Sequence, residues 1–322
     1  MPGSTTLSEL GEFGLIDLVT ADLPAADDVL LGPGDDGAVL AVDGPVVTSV
    51  DLLIENVHFK LGWSDPADIG RKAVAVNVAD LEAMGARATG VLLGFSGPPQ
   101  LQLRWVREFV TGLNAECAAA GVSLLGGDVT RSRDITLSVT VLGGLDGRAP
   151  VRRSGARAGD VVALRGRTGW AAAGLVVLGR GFRSPRAVVE AQRVPQVPYG
   201  AGAVAARAGA SAMVDVSDGL VADLGHVARA SGVVIDLHRE AFEVPEPLQA
   251  VAAATGADPY QLLLTGGEDH ALAATFAADR VPEGWRVVGE VLTSDPEASA
   301  GVLVDGAVWE SVGGFDHFGH SR

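Results

Sequence analysis

The chain has 322 residues, of which 48% are hydrophobic and 20% charged, so its composition is that of a folded globular protein long enough for two domains. Its formal net charge of −16 argues against binding to nucleic acid or to an anionic membrane surface. No apolar run reaches the roughly 18 residues of a membrane span, and the first residues show no secretory signal. We therefore expect a cytoplasmic protein, with its single cysteine, Cys117, in the core.

The first half of the chain alternates β-prone and helical segments. The turn residues Asp43-Gly44-Pro45 separate two predicted strands, and Asp65-Pro66 has the N-cap and first-turn residues that open a helix. Along that helix, Asn77 and Asp80 are three residues apart and share a face. In chain order we predict strands over 38–42 and 46–50, a helix over 65–84, a strand over 89–95, a helix over 102–120, and strands over 122–125 and 135–142.

A segment rich in Gly and Arg, residues 143–158, separates this half from the next, and it predicts domains over 1–145 and 146–322. Strands and helices are mixed in both halves, so the fold class is α/β (α+β) with two domains per subunit. The second half contains predicted strands over 160–164, 212–216, 233–237, 271–276, 286–291 and 302–304, and predicted helices over 168–178, 198–208, 220–230, 247–255 and 259–264.

Six acidic motifs stand near the ends of apolar segments. Converging carboxylates repel one another unless a cation lies among them, and Mg²⁺ binds carboxylates together with water and phosphate oxygens. The adjacent glycines let backbone N–H groups approach phosphates closely. We therefore predict several Mg²⁺ ions on a polyphosphate. The motifs are Gly32-Pro33-Gly34-Asp35-Asp36, Ser49-Val50-Asp51, Asn77-Val78-Ala79-Asp80, Gly126-Gly127-Asp128, Asp215-Val216-Ser217-Asp218-Gly219 and Gly266-Gly267-Glu268-Asp269.

Each motif also has a purely structural interpretation. The first is compatible with a surface turn, Asp80 with an exposed helix carboxylate, Gly126-Gly127-Asp128 with a hairpin turn, and Asp218 with an ordinary N-cap. Glu268 and Asp269 are compatible with a turn before the strand that begins at Ala271. A Walker A loop is absent, and Lys60 and Lys72 are the only lysines. Phosphate charge would therefore be balanced by metal ions and arginines. The occurrence of all six motifs in one chain favours the functional interpretation.

Taken in order, these motifs resemble those of the thiamine-monophosphate kinases, in the superfamily of aminoimidazole ribonucleotide synthetase and selenophosphate synthetase. The resemblance extends from about Glu12 to Phe318. It implies a two-domain subunit in a homodimer, with strands of both N-terminal domains forming a shared barrel. The segments that carry it are GPGDDGAVL, VDLLIENVHF, RKAVAVNVADLEAMGA, LLGGDVTR, RRSGARAGD, VDVSDGLVADLGH, LTGGEDHAL and GFDHF.

The resemblance also implies site residues. Those expected to hold Mg²⁺ are Asp35, Ser49, Val50, Asp51, Asp80, Asp128, Asp215 and Asp218, and those expected to meet the ATP phosphates or nucleotide are Gly127, Asp128, Arg153 and Ser217. Those expected to contact thiamine monophosphate are His58, Glu268 and Phe315, since an aromatic face and a carboxylate suit a cationic thiazolium and an aminopyrimidine. For His58 and Phe315, core packing is the alternative.

Two positions depart from the pattern of the family. Val50 stands where Thr is common, so a metal contact there would come from its backbone carbonyl, and His270 stands where Tyr is usual. Neither change removes a carboxylate.

The implied reaction is direct in-line transfer of the γ-phosphoryl group of ATP to thiamine monophosphate, with Asp80, Asp128, Asp215 and Arg153 as the catalytic residues. Another synthetase of the superfamily is one alternative. The selenium enzyme is disfavoured because no cysteine precedes Cys117, and carbamoyl-dehydrating relatives are disfavoured because the chain ends Gly319-His320-Ser321-Arg322. The other alternative is a non-catalytic protein that binds nucleotide or thiamine phosphate.

Overall fold

The computed structural model describes residues 6–21, 27–34, 37–294 and 300–309. The chain divides into two compact units. The first comprises residues 1–81 and 86–148, and the second comprises residues 82–85 and 149–322. Each unit has its own sheet and helices, so the predicted mixture of strands and helices is confirmed in both halves.

The elements of the first unit follow one another as helices between strands. In chain order they are α1 (Leu7–Thr20), β1 (Val29–Leu31), β2 (Val39–Leu40), β3 (Val46–Ile54), α2 (Pro66–Ala83), β4 (Arg87–Gly97), α3 (Leu103–Ala120), β5 (Ser123–Arg131) and β6 (Thr136–Gly144).

Four of these strands form a sheet in the order β3-β6-β4-β5, in which only the β4–β5 pair is parallel. Along β3 the side chains alternate between the two faces of the sheet. Leu53 is buried on one face, whereas Val46, Val50 and Leu52 are about half exposed on the other. The first unit therefore has one apolar sheet face that the described residues of this chain leave open.

The second unit continues the chain with a larger sheet. Its elements are β7 (Val161–Arg165), α4 (Trp170–Gly179), α5 (Arg186–Arg193), α6 (Ala201–Ala208), β8 (Ala212–Val216), α7 (Leu220–Ser231), β9 (Val233–Leu237), α8 (Glu246–Thr255), α9 (Pro259–Thr265), β10 (Ala271–Phe276), β11 (Arg286–Thr293), β12 (Gly301–Val304) and β13 (Ala307–Val308).

The described strands of the second sheet lie in the order β13-β12-β9-β11-β7-β10-β8, with only β12 and β9 parallel. Every residue of β8 and β10 is buried. Met213, Phe276 and Trp285 pack in one apolar cluster, in which the two aromatic rings meet edge to face with centroids 5.5 Å apart. This core fixes the edge strand β8, which carries Asp215.

The last two residues of α2, Glu82 and Ala83, belong to the second unit, where the buried carboxylate of Glu82 contacts the start of α6. Glu82 accepts hydrogen bonds from the backbone N–H groups of Gly200 (2.6 Å) and Gly202 (2.8 Å), at the N-terminus of α6. These N–H groups have no partner inside the helix, so Glu82 acts as a cap from a distant part of the chain. Burial raises the pKa of Glu82, although both backbone hydrogen bonds oppose that shift.

Several predicted elements need correction. Two observed helices are absent from the prediction, namely α1, which Gly11 interrupts with a non-helical backbone (φ 77°), and the eight-residue α5. The strand predicted over 38–42 is reduced to Val39–Leu40. The strand predicted over 122–125 continues to Arg131. Among the described residues, no helix is both long and apolar enough to cross a membrane.

Candidate active site

Two acidic motifs of the first unit meet between β3 and α2. Ser49 and Asp51 lie two residues apart on β3 and so face the same side. The Ser49 hydroxyl donates to Asp80 Oδ2 (2.6 Å), and the backbone N–H of Asp51 donates to Asn77 Oδ1 (2.9 Å). Asn77 is fully buried and fixed by a second bond, from its Nδ2 to the Ala73 carbonyl (2.8 Å). The structure thus brings Ser49, Asp51 and Asp80 together.

The side chain of Val50 faces the other way and is 56% exposed. A contact between Val50 and a metal ion would require its backbone carbonyl, as the sequence predicts. Asp51 also lies inside β3 and not at its end, so the expectation that every acidic motif ends an apolar segment is wrong here. Asn77 contributes to the site through its side-chain amide, and its position on the Asp80 face of α2 was visible in the sequence.

Gly127 and Asp128 lie within β5, so the interpretation of this motif as a hairpin turn is wrong. The pairing with β4 slips by one residue before Gly126, whose φ is 146°. A Cβ atom on Gly127 would lie 1.8 Å from the carbonyl oxygen of Leu93, so only glycine allows this approach of the two strands. Asp128 is exposed beside Gly94, its partner on β4.

Asp128 is separated from Asp51 within this sheet. Strands β6 and β4 lie between β3 and β5. In the observed register, Asp128 shares a face with Gly94, Ser138 and Leu52, whereas Asp51 shares the opposite face with Val139. Among the described residues of the first unit, the carboxylates predicted to bind metal therefore form two groups, Asp51 with Asp80 on the α2 side of the sheet and Asp128 on the other side.

His58 is half-buried and held at both its ring and its backbone. Its Nδ1 accepts the N–H of Ile54 (3.0 Å), and its carbonyl accepts the ammonium group of Lys72 (3.2 Å). Lys72 is 3% exposed, which is unusual for a lysine. Since Nδ1 is the acceptor, the ring proton is on Nε2. The side chain is oriented by specific polar contacts and does not pack only as a core residue.

In the second unit, backbone hydrogen bonds join two acidic motifs, the one at the end of β8 and the one that precedes β10. The N–H of Glu268 donates to the Ser217 carbonyl (2.7 Å), and the N–H of His270 donates to the Val216 carbonyl (2.9 Å). A Cβ atom on Gly267 would lie 2.4 Å from the Ser217 carbonyl oxygen, so the glycine is required by this close approach. Ser217 and Glu268 are therefore neighbours in the fold.

Asp215 is 4% exposed and accepts a hydrogen bond from His270 Nδ1 (3.0 Å). The N-cap interpretation of Asp218 is wrong, because Gly219 occupies that position and the Asp218 side chain does not cap α7. Instead, the carboxylate of Asp223, in the first turn of α7, accepts the N–H groups of Asp218 and Gly219, both at 3.0 Å. The role of Asp223 was not predicted, although an Asp in the first turn of a helix is a recognised capping signal.

The electrostatics of this region indicate a concentration of negative charge. Burial raises the pKa of Asp223 to about 7, and the charges of Asp215 and Asp218 add to the increase. Burial and the charges of Arg229 and Arg153 lower the pKa of His226, and the charge of Asp218 partly opposes this decrease. Asp218 and Arg153 therefore both lie within electrostatic reach of His226.

Arg153 lies on a loop that the end of α7 holds in place. The hydroxyl of Ser231 donates to the Arg153 carbonyl (3.0 Å) and accepts the N–H groups of Gly155 (3.0 Å) and Ala156 (3.1 Å). The Arg153 side chain is exposed. The guanidinium can therefore reach an anion in solvent, while the three hydrogen bonds to Ser231 hold the backbone of its loop.

Asp269 has a structural environment that separates it from its neighbour Glu268. It is 5% exposed, and its Oδ1 accepts the N–H of Ala171 (2.9 Å) at the start of α4. Its Oδ2 is buried and has no hydrogen-bond partner among the described residues. Burial raises the pKa of Asp269 to about 7. Asp269 therefore fastens the loop that carries Glu268 to α4.

Asp35 and Phe315, two of the predicted site residues, lie outside the described residues. Within the described part of the chain, no three Asp, Glu, His or Cys side chains form a metal site by themselves. The donors present are pairs, such as the hydroxyl of Ser49 with the carboxylate of Asp80. Such pairs fit Mg²⁺ held jointly by one or two carboxylates, water and phosphate oxygens.

Comparison with known proteins gives the same family that the motifs indicate. The N-terminal domain of the AIR synthase related proteins matches residues 34–145, and their C-terminal domain matches residues 157–300. The thiamine-monophosphate kinase of Mycobacterium tuberculosis is 48% identical over 318 residues, which cover 98% of this chain and 94% of the relative. That of Corynebacterium glutamicum is 38% identical over 296 residues, covering 89% and 87%.

Solved structures agree with the sequence relatives. The crystal structure of thiamine-monophosphate kinase from Stenotrophomonas maltophilia has a TM-score of 0.78 and 32% identity, covering 91% of this chain and 95% of that chain. AaThiL complexed with AMPPCP and TMP has a TM-score of 0.78 and 30% identity, covering 98% and 100%. The resemblance seen in the motifs is thereby confirmed, and this chain belongs to the thiamine-monophosphate kinase family of AIR synthase related proteins.

Proposed function

We propose that this chain transfers the γ-phosphoryl group of ATP to the phosphate of thiamine monophosphate, giving thiamine diphosphate and ADP. The observation that carries the proposal is the 48% identity, over nearly the whole chain, to thiamine-monophosphate kinase. The complex of AaThiL with AMPPCP, an analogue of ATP, and TMP supports the same pair of substrates. ATP as co-substrate supports a cytoplasmic location.

The reaction is a direct in-line displacement. The second pKa of a phosphate monoester is about 6, so the acceptor phosphate is largely ionised at pH 7 and needs no strong general base. One of its oxygens forms a bond to the γ-phosphorus while the bond from that phosphorus to the bridging oxygen of ADP breaks. The protein contributes alignment of the two substrates and stabilisation of charge on the transferred group.

The residues that would hold Mg²⁺ are Asp35, Ser49, Val50, Asp51, Asp80, Asp128, Asp215 and Asp218. When bound, several Mg²⁺ ions reduce the repulsion between the two anionic substrates. Ser49 orients the carboxylate of Asp80 through a 2.6 Å hydrogen bond, which supports a fixed ligand at this position. Burial raises the pKa of Asp223, and the charges of Asp215 and Asp218 add to the increase, so the negative charge of these two neighbours supports a cation in the second unit.

The nucleotide and its phosphates would contact Gly127, Asp128, Arg153 and Ser217. The exposed side chain of Arg153 on a hydrogen-bonded loop suits a role in stabilising the transferred group. Of the residues proposed for thiamine monophosphate, His58 has its ring proton on Nε2, because its Nδ1 accepts the N–H of Ile54. Glu268 offers a carboxylate, and Phe315 would supply the aromatic face.

The subunit is proposed to act as a homodimer in which strands of both N-terminal domains form a shared barrel. The half-exposed side chains of Val46, Val50 and Leu52 on one face of β3 support this assembly, because an apolar face of this kind is usually covered. Leu52→Lys should convert the dimer to a monomer in light scattering. A wild-type chain that is monomeric at assay concentrations would remove the assembly from the proposal.

A coupled ADP-release assay, with and without thiamine monophosphate, tests the function directly. We expect ADP release to depend on thiamine monophosphate and to match thiamine diphosphate formed, measured by chromatography. Asp80→Asn and Asp215→Asn should lower kcat by at least about a hundredfold while thermal unfolding stays cooperative. Asp279→Asn, on an exposed turn, is the matched control.

Two outcomes would contradict the proposal. Binding of both substrates without ADP release would indicate a non-catalytic protein. ADP release without thiamine diphosphate would indicate another ATP-dependent synthetase of the superfamily.

A further inference from the structure

His270 makes a buried contact with Asp215, one of the residues proposed to hold Mg²⁺. The Nδ1 atom lies 3.0 Å from Asp215 Oδ2, and the two residues are 7% and 4% exposed. An ionised carboxylate only accepts hydrogen bonds, so Nδ1 carries the proton and donates it. A charge-assisted bond of this kind, shielded from water, fixes the carboxylate more firmly than an exposed one would.

The backbone presents the imidazole to Asp215 at a defined position. His270 has a left-handed conformation (φ 51°), and so does Glu268 two residues earlier (φ 66°). Both are uncommon for residues other than glycine and persist only where the surroundings hold them. Here two hydrogen bonds, from Glu268 N–H to Ser217 and from His270 N–H to Val216, hold the loop against the strand that carries Asp215. These backbone bonds therefore set the position from which the His270 ring reaches Asp215.

We propose that His270 is a positioning residue, which orients Asp215 by occupying Oδ2 and so directs Oδ1 toward a divalent cation. The inference rests on the proposed role of Asp215 as a Mg²⁺ ligand. A hydrogen bond to a ligating carboxylate fixes its rotamer, and loss of such a partner typically weakens metal binding by about 10- to 100-fold. The inference therefore concerns cation affinity, whereas a purely structural role of His270 would affect stability alone.

Three variants separate these roles. His270→Phe keeps the aromatic volume and removes the N–H donor. His270→Asn keeps a side-chain N–H donor and tolerates the left-handed backbone, so it serves as the conservative rescue. His238→Phe makes the same chemical change at a half-exposed histidine on the surface of the second unit, 3.7 Å from Glu290, and is the matched control.

The first readout is Mn²⁺ binding in the presence of AMPPCP, followed by electron paramagnetic resonance, with Asp215→Asn marking the sites that depend on Asp215. We expect His270→Phe to weaken those sites about tenfold or more, His270→Asn to recover most of the affinity, and His238→Phe to match wild type. The second readout is the Mg²⁺ concentration for half-maximal ADP release, which should rise by a similar factor in His270→Phe.

Unchanged Mn²⁺ affinity in His270→Phe would overturn the inference, and so would equal loss in both His270 variants accompanied by equal losses in Tm. The same conclusion would follow if Asp215→Asn left Mn²⁺ binding unaltered. Failure of the proposed reaction is distinguishable, because a wild-type chain that forms no thiamine diphosphate can still show the predicted order of Mn²⁺ affinities among the variants.

Discussion

The substitution Asp269→Asn should change how the stability of the protein depends on pH. Asp269 is 5% exposed, and burial raises its pKa from the ordinary 3.8 to about 7. Below pH 4 the carboxyl holds its proton in both the folded and the unfolded chain. Between pH 4 and pH 7 the folded chain keeps that proton while the unfolded chain releases it. The free energy of unfolding therefore falls as pH rises through this window, and the fall ends near pH 7.

The size of the effect follows from the two pKa values. A difference from 3.8 to about 7 corresponds to about 4 kcal/mol of stability lost between pH 4 and pH 8. The asparagine amide keeps an oxygen to accept the N–H of Ala171 and does not titrate. It also places an N–H₂ group where Oδ2 has no partner among the described residues, which costs about 1–3 kcal/mol at every pH.

Urea unfolding of wild type and Asp269→Asn, followed by tryptophan fluorescence at intervals from pH 4.5 to pH 8, measures this difference. The variant should be less stable than wild type at pH 4.5. Between pH 4.5 and pH 8 its free energy of unfolding should rise by several kcal/mol relative to that of wild type. For Asp279→Asn, at an exposed position, the free energy of unfolding should vary with pH as it does in wild type. Parallel curves for Asp269→Asn and wild type would refute the reasoning, because the Asp269 carboxyl would then titrate alike in the folded and unfolded chain.

Three further changes test other parts of the structure. Gly127→Ala should lower the stability by about 1–3 kcal/mol and abolish most of the activity, because the new Cβ would lie 1.8 Å from a carbonyl oxygen of β4. Gly179→Ala should change both little, because a Cβ there meets nothing within 4 Å. Measurements of Tm and kcat check both variants. Ser49→Ala should raise the Mg²⁺ concentration for half-maximal activity about tenfold, since it removes the hydrogen bond to Asp80; an unchanged titration would contradict this. Glu82→Ala should lower the free energy of unfolding in urea by about 2–4 kcal/mol, because it leaves two N–H groups at the start of α6 without their acceptor. A loss below about 1 kcal/mol would show that water replaces the carboxylate as acceptor.

The sequence was most informative where a local signal coincided with a long regular element. Pro66 marks the start of α2 as predicted, and the strands predicted over 212–216, 233–237 and 271–276 are observed at those bounds. Boundaries failed where the signal was ambiguous. The pair Gly126-Gly127 predicts the end of a strand, but a bulge at this point lets β5 continue to Arg131.

The side-chain partners were less predictable, because they join segments far apart in the chain. Asp223, in the first turn of α7, accepts the N–H of Asp218, which precedes that helix, so a capping signal could have revealed this contact. The contact between His270 and Asp215 had no such signal. It depends on the antiparallel pairing of β8 with β10 and on a left-handed residue at the end of that pairing.

By itself, the amino-acid sequence determined the family, the mixed fold class and the types of side chain available, because motif order and composition are properties of the chain alone. Which carboxylates lie together was decided by tertiary structure. Strand register and helix docking place Ser49 beside Asp80, set Asp128 on the opposite face of the same sheet, and bury Asp269 away from solvent. The environment of each carboxyl group, and with it the pKa and hydrogen-bond partners, arises only when distant segments pack against one another.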